Sequence, residues 1–144
     1  KILLITLEGV SISMRHTLIS PLRVPQSKKK DFILNLNVYR NAHYMVLNNA
    51  KRAYEKVMRD QVASLPVMKN IGIQYVLYPA RKSDVAKVCC VIDKFFADTL
   101  TKHGKIEDDD CYQYPAINYR FGHIDKENPR CEIIREELNN ADSN

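Results

Sequence analysis

The sequence has few of the residues that interrupt regular structure, and it has no long apolar run. Four glycines and six prolines occur in 144 residues, and tryptophan is absent. With 45% hydrophobic and 27% charged residues, the composition is that of a globular protein and excludes widespread disorder. The opening segment 2–7 is too short for a signal-peptide core or a membrane span. We therefore expect one soluble domain over residues 1–138, followed by a polar tail at 139–144.

Cysteine and histidine spacings of the zinc-binding type are also lacking. Cys89 and Cys90 are adjacent, Cys111 and Cys131 stand alone, and the four histidines are scattered singly. Because neighbouring residues on a helix point about 100° apart, Cys89 and Cys90 are badly placed to share one zinc ion. We expect reduced and mostly packed thiols, which is typical of a cytoplasmic protein.

Acidic residues are in the minority. The chain has 17 Asp and Glu against 22 Lys and Arg, a net charge of +5 and a pI near 9.0. This balance suits a protein that binds nucleic acid or an anionic surface, and it is equally common in proteins that bind neither. Lys28, Lys29 and Lys30 concentrate positive charge in a proline-containing segment, where a solvated loop is the ordinary role of such a triplet.

Hydrophobic periodicity predicts strands alternating with two amphipathic helices. The helices are expected at about 41–64 and 84–100, and the strands at 2–7, 11–15, 32–38, 71–78, 117–121 and 131–135. In the stretch 32–38, Ile33, Asn35 and Asn37 alternate with Leu34, Leu36 and Val38. The order predicts an α+β fold, a single domain in which two main helices pack on a mixed or antiparallel sheet.

Carboxylates gather around the second helix. Ser83 or Asp84 is suited to cap its start, Gly104 to end it, and the next residues 107–110 are four consecutive acids. Like charges packed together cost free energy unless a cation or a basic partner lies among them. Hard cations such as Mg²⁺ take one or two carboxylates together with water and substrate phosphate. A solvated acidic loop is the alternative interpretation.

The segment 81–110 resembles the RusA family, small dimeric Holliday junction endonucleases of phages and prophages. That family carries D-x-D-N, then Lys, D-x-L, Gly and an Asp-Asp pair on a helix-loop unit. The matching residues here are Asp84-Val-Ala-Lys87, Asp93-Lys94, Asp98-Thr-Leu100, Gly104 and Asp108-Asp109, and an earlier Asn-x-x-Tyr-Arg element is echoed in Asn35–Arg40. Ala86 and Lys87 stand where the family has its second Asp and its Asn. The spacing from Asp84 to the Lys94–Leu100 segment is about four residues longer, near one helical turn.

The resemblance implies a metal-dependent, structure-selective endonuclease that hydrolyses branched DNA as a homodimer in the cytoplasm of a bacterial or phage-infected cell. The implied ion is Mg²⁺, with Mn²⁺ as the alternative. The implied metal ligands are Asp84, Asp93, Asp108 and Asp109, although a regular helix would point Asp93 away from Asp84. The implied catalytic residues are Asp84, Lys94 and Asp109. The implied DNA contacts are Lys28, Lys29, Lys30, Asn37, Arg40, Arg81 and Lys82.

Two other functions stay open. Ala86 and Lys87 are compatible with a protein of the same fold that binds DNA junctions and has lost catalysis. An acidic loop is also a plausible docking surface for a phage or host protein-interaction module.

Overall fold

The computed structural model describes residues 2–7, 10–28, 30–67, 70–106 and 115–140, with residues 2–7, 10–14, 139 and 140 as backbone only. The α+β class is confirmed, with helices packed on a mixed sheet. The elements in chain order are β1 (Ile2–Leu7), β2 (Val10–Ser20), β3 (Arg23–Val24), β4 (Phe32–Ile33), α1 (Leu36–Asn41), α2 (Tyr44–Ala63), β5 (Ile71–Tyr78), α3 (Val85–Lys102), β6 (Ala116–Phe121) and β7 (Arg130–Asn140).

The main sheet has the strand order β1-β2-β7-β5-β6. All neighbours are antiparallel except β5 and β6, which run parallel with Gly72 opposite Ala116 and Leu77 opposite Phe121. A parallel pair needs a crossover, and α3 provides it. The start of α3 therefore lies at the end of β5, and the end of α3 lies near the start of β6. A separate two-stranded hairpin is formed by β3 and β4.

Phe95 of α3 joins the hairpin and the other two helices in the core. Its ring stacks 6.2 Å from that of Phe32 on β4 and lies 5.6 Å from the ring of Tyr54 on α2. The ring of Tyr39 on α1 is 6.3 Å away. Phe95, Phe32 and Tyr54 are almost fully buried. Apolar residues on both sides of α3 thus make it the central helix, with the sheet on one side and α1 and α2 on the other.

The predicted strand at 32–38 is wrong beyond Ile33. Asn35 instead begins α1, where its Oδ1 accepts a hydrogen bond from the Asn37 N–H at 2.9 Å. Asparagine is among the best residues for this capping position. Leu36 and Tyr39 then lie three residues apart and pack against the core, a helical spacing that short-range alternation had concealed.

The last strand extends well past the predicted end at Arg135. It pairs with β2 as far as Asn140 opposite Val10, and with β5 at Glu137 opposite Ile71. The first two residues of the predicted tail at 139–144 therefore belong to β7, and residues 141–144 lie outside the described part of the chain. Arg135, in the middle of this strand, is fully buried.

One glutamine attaches α2 to the sheet. Gln61 Oε1 accepts from the Ile19 N–H at 2.7 Å, and Gln61 Nε2 donates to the Ile19 carbonyl at 2.8 Å. The pairing of β1 with β2 extends only to Met14, so Gln61 occupies a place beside β2 that β1 does not reach. Within the described residues, none of the helices has the length and apolarity needed to cross a membrane.

Candidate functional site

Asp84 caps the N-terminal end of α3, so that of the two residues suited to this position from the sequence, Ser83 and Asp84, it is the second that does so. It has extended backbone geometry, and its Oδ1 accepts a hydrogen bond from the Lys87 N–H at 3.2 Å. The side chain is exposed. Just before it, the Ser83 hydroxyl donates to the Arg81 carbonyl at 3.0 Å and fixes the turn that leads from β5 into the helix. The carboxylate is thus oriented by one backbone N–H while it faces solvent.

A cavity of about 350 Å³ opens beside Asp84. It lies where the β3–β4 hairpin, the end of β5 and the start of α3 meet. Its wall is apolar in part, formed among others by Leu22, Ile33, Leu34, Pro79 and Val88. Its polar lining residues include Arg23, Asn35, Arg81, Lys82 and Ser83.

Positive charge predominates among the residues that line this cavity. Arg23, Arg81 and Lys82 supply three cations, and Asp84 is the one carboxylate in the described lining. The N-terminal end of α3 adds partial positive charge. Arg23 was not among the predicted DNA-binding residues because it reaches this place only through the hairpin, and no local sequence signal indicates that. The arrangement is suited to an anion held near a carboxylate.

Asp93, a predicted metal ligand, is not brought to Asp84. It lies nine residues further along α3, about 13.5 Å along the helix axis and on the opposite side. Its Oδ1 accepts from the Tyr75 hydroxyl at 2.7 Å, and its Oδ2 from the Tyr119 hydroxyl at 3.4 Å. Burial, reinforced by the Asp93 charge, raises the pKa of Tyr119, which keeps that hydroxyl a donor. Asp93 therefore ties α3 to β5 and β6.

Lys94 is exposed on the far side of α3 from the sheet. Its ammonium lies 5.9 Å from the centre of the Tyr39 ring, a cation–π contact with α1. Lys94 and Arg40 both act electrostatically on Cys90, where burial raises the thiol pKa and these two cations oppose the rise. Lys94 is ten residues from Asp84, about 15 Å along the helix. Of the three predicted catalytic residues, Asp84 and Lys94 are therefore apart within one chain.

Asp108 and Asp109 lie outside the described residues, as do Glu107, Asp110 and Lys29. The residues before them are held firmly: Gly104 has a φ of 68°, the left-handed conformation that ends α3. The Lys105 N–H donates to the Leu100 carbonyl, and the Lys105 carbonyl accepts a hydrogen bond from the Arg135 guanidinium at 3.4 Å. Arg135 also donates to the Pro66 carbonyl at 3.0 Å. The buried guanidinium thus fixes the backbone at Lys105, just before the acidic segment.

The entry to the acidic segment and Asp84 lie at opposite ends of the same helix. The eighteen residues of α3 span about 27 Å, and Ile106 follows at its C-terminal end. Among the residues with described positions, none of the possible groupings of three or more His, Cys, Asp or Glu side chains has the geometry of a metal site. Of the four predicted metal ligands, the two with described positions, Asp84 and Asp93, thus lie at separate places in the fold.

The predicted DNA contacts fall into two groups. Arg81 and Lys82 lie at the cavity beside Asp84, and exposed Lys28 and Lys30 lie in the loop between β3 and β4, whose strands border the same cavity. Exposed Asn37 and Arg40 lie on α1, on the side of Lys94. Within the first group, Arg81 and Lys82 line the cavity at the start of α3, whereas the loop that carries Lys28 and Lys30 borders α1 and α2 through Gln26 and Ser27.

Comparison with known proteins adds no assignment. Neither a protein-family model nor a curated protein sequence matches this chain.

Proposed function

We propose that this chain is a metal-dependent, structure-selective endonuclease that cleaves branched DNA such as Holliday junctions, as in the RusA family that its motif resembles. The observation that carries the proposal is the exposed Asp84 carboxylate at a cavity lined by Arg23, Arg81 and Lys82. A metal-dependent hydrolase acting on a phosphodiester uses an oxygen ligand for a cation next to cationic groups that hold the phosphate. These requirements meet at the start of α3.

In this proposal the metal ligands are Asp84, Asp108 and Asp109. Because Asp84 Oδ1 is already oriented by the Lys87 N–H, its Oδ2 is the oxygen available to an ion. A bound Mg²⁺, or Mn²⁺ in its place, would polarise the scissile phosphate and lower the pKa of an attacking water. Asp93 takes a different role, since two tyrosine hydroxyls already hold it against the sheet.

The proposed homodimer offers a way to bring Asp84 together with an acidic segment. Asp84 and the entry to the acidic segment at Ile106 are separated by the length of α3, about 27 Å. Two copies related by a two-fold axis, with their α3 helices antiparallel, would place Asp84 of each chain near Ile106 of the other, the residue from which the acidic segment continues. A two-fold dimer also presents one site to each of two strands of a nearly two-fold symmetric junction.

The basic residues around the cavity supply affinity for the DNA backbone. In this proposal Arg23, Arg81 and Lys82 at the cavity contact phosphates next to the cleavage site, and Lys28 and Lys30 in the hairpin loop contact phosphates further along the DNA. Each phosphate neutralised adds about 0.9 to the slope of log affinity against log salt concentration. Binding is therefore expected to weaken steeply as salt rises.

The test is junction cleavage in Mg²⁺ by Asp84→Asn and by Asp109→Asn. Asparagine caps a helix about as well as aspartate, so Asp84→Asn removes the charge while keeping α3 intact. Cleavage is expected to fall at least 100-fold for each variant, whereas junction binding in Ca²⁺ is retained. The matched control is Asp60→Asn on the exposed face of α2, outside the motif, which should cleave like the parent chain. Undiminished cleavage by either active-site variant removes that residue from the mechanism.

A second candidate function is junction binding without catalysis. It is favoured by the position of Lys87, whose half-buried side chain stands where the family has Asn, and by the engagement of Asp93 with Tyr75 and Tyr119. It predicts salt-sensitive junction binding with no Mg²⁺-dependent cleavage at any protein concentration. Recovery of cleavage in Lys87→Asn would identify Lys87 as the cause. If neither junction nor duplex binds at low salt, the protein-interaction alternative takes precedence.

A further inference from the structure

The cavity beside Asp84 is lined by both apolar and cationic side chains, and a phosphate group alone would use only the cationic ones. Its volume of about 350 Å³ is at the small end of the range for small-molecule sites, about 300–1,000 Å³. Its apolar lining is formed by residues from and next to the hairpin, from the end of β5 and from α3, among them Leu22, Ile33, Leu34, Pro79 and Val88. The cations lie in the same lining. The occupant that matches both parts is a small molecule with a flat, largely apolar body and an attached anion.

We infer that this cavity binds one unstacked nucleotide, with the base against the apolar wall and a neighbouring phosphate held by Arg23, Arg81 and Lys82. The lining carries three cations and one carboxylate in its described part, so the occupant is anionic by charge complementarity. Inorganic phosphate would use the cations and leave the apolar wall in water. A neutral apolar ligand would cover the wall and leave the cations without a partner. A nucleotide satisfies both.

Asn35 and Ser83 provide the polar edge that a base requires. Asn35 Oδ1 is occupied by the Asn37 N–H, so the group that Asn35 offers to a ligand is its Nδ2 amide, a donor for the carbonyl oxygens and ring nitrogens of bases. Ser83 lines the same cavity beside the turn it stabilises. These groups give orientation without demanding one particular base.

In branched DNA the occupant would be the nucleotide at the branch point, and in this respect the inference rests on the proposed function. Extracting a base from a duplex costs free energy, and the cost is smallest where the base is already unpaired. A cavity that accepts one unstacked nucleotide therefore selects branched over continuous DNA. Because Asp84 lines the cavity, capture would also present an adjacent phosphodiester to that carboxylate.

The experiment fills the cavity with larger side chains and measures the unstacking of the base by its fluorescence. Ile33→Phe and Ser83→Leu enlarge two partly exposed lining residues, and Ile19→Phe is the matched control, a strand isoleucine outside the cavity with 44% exposure against 37% for Ile33. The probe is a four-way junction carrying 2-aminopurine at the branch point, studied in Ca²⁺. Thermal melting confirms that each variant is folded.

The expected result is a rise in 2-aminopurine fluorescence with the parent chain and with Ile19→Phe, and no rise with Ile33→Phe or Ser83→Leu. The two cavity variants should also lose at least 10-fold of the preference for junction over duplex. Junction binding without a rise in the parent chain, or a rise that both cavity variants retain, would overturn the inference.

A second arm separates this inference from the proposed function. If the parent chain binds no junction, the nuclease proposal fails. Titration with millimolar dAMP, followed by amide NMR, then tests on its own whether the cavity binds a nucleotide. Shifts at Ala80 to Asp84 that Ile33→Phe abolishes would support a site for free nucleotides. Absence of such shifts would overturn the inference.

Discussion

The hydrogen bond from Tyr75 to Asp93 permits a quantitative test of how α3 is held on the sheet. Tyr75 is fully buried, and its hydroxyl lies 2.7 Å from Asp93 Oδ1. A hydrogen bond to a charged group contributes about 1.5–3 kcal/mol. Tyr75→Phe removes the donor and keeps the ring, so we expect a loss of about 2 kcal/mol in the free energy of unfolding. With an unfolding entropy of about 2.1 cal/mol/K per residue over the whole chain, that loss lowers Tm by about 6–7 °C.

Tyr119→Phe is the internal comparison. Its hydroxyl lies 3.4 Å from Asp93 Oδ2 and is only half-buried, so we expect a loss below about 1 kcal/mol. Urea denaturation of both variants measures the two free energies at constant m-value. A double-mutant cycle with Asp93→Asn should show that Tyr75→Phe costs less once the charge is gone. Equal losses for the two tyrosines, or no loss for Tyr75→Phe, would refute the assignment of Asp93 as the anchor of α3.

Three further results are expected. Asp84→Ala should lower the free energy of unfolding by about 1 kcal/mol through loss of the helix cap, whereas Asp84→Asn should change it by only a few tenths, as measured in urea. Burial, and next the charge of Arg135, lower the pKa of His16 from 6.5, so the folded state favours the neutral ring. Stability therefore falls as the pH drops below about 6.5 towards the folded-state pKa. The difference between the free energies of unfolding at pH 7 and pH 5 should be smaller in His16→Gln than in the parent chain. A Cβ at residue 122 would overlap the ring of Tyr78, so Gly122→Ala should cost about 1–3 kcal/mol, and a smaller cost in a Tyr78→Leu background would trace it to that ring.

The central helix was predictable because its signals are local. Asp84 stands immediately before an apolar repeat of helical period and caps it through an oxygen that reaches only three residues along the chain. Gly104 ends the helix because glycine accepts the positive φ found there. The strands at Ile71–Tyr78 and Ala116–Phe121 were predicted from alternation, and on β5 the alternating residues Ile71, Ile73, Tyr75 and Leu77 are buried. On β6 Tyr119 is half-buried, while Ile117 and Phe121 are exposed.

The features that escaped prediction depend on distant parts of the chain. Asp93 receives its hydroxyl donors from residues 18 and 26 positions away, so the helix pattern alone could not show that it faces the sheet. Arg135 looks like an ordinary solvent-facing strand residue, yet its guanidinium satisfies the carbonyls of Pro66 and Lys105 in the core. Arg23 reaches the cavity because the hairpin folds against the end of β5. Only the tertiary fold brings these groups together.

The contact between Gln61 and Ile19 also protects the sheet against association with other chains. Beyond Met14, β2 has no β1 neighbour in the described register, and an uncovered strand edge is a template on which another chain can add a strand. The Gln61 carboxamide offers Ile19 one acceptor and one donor, the same pair that a residue of an adjacent strand would offer. Helix α2 thus substitutes for a missing strand at this position, and a foreign segment would have to displace it before pairing with β2 there.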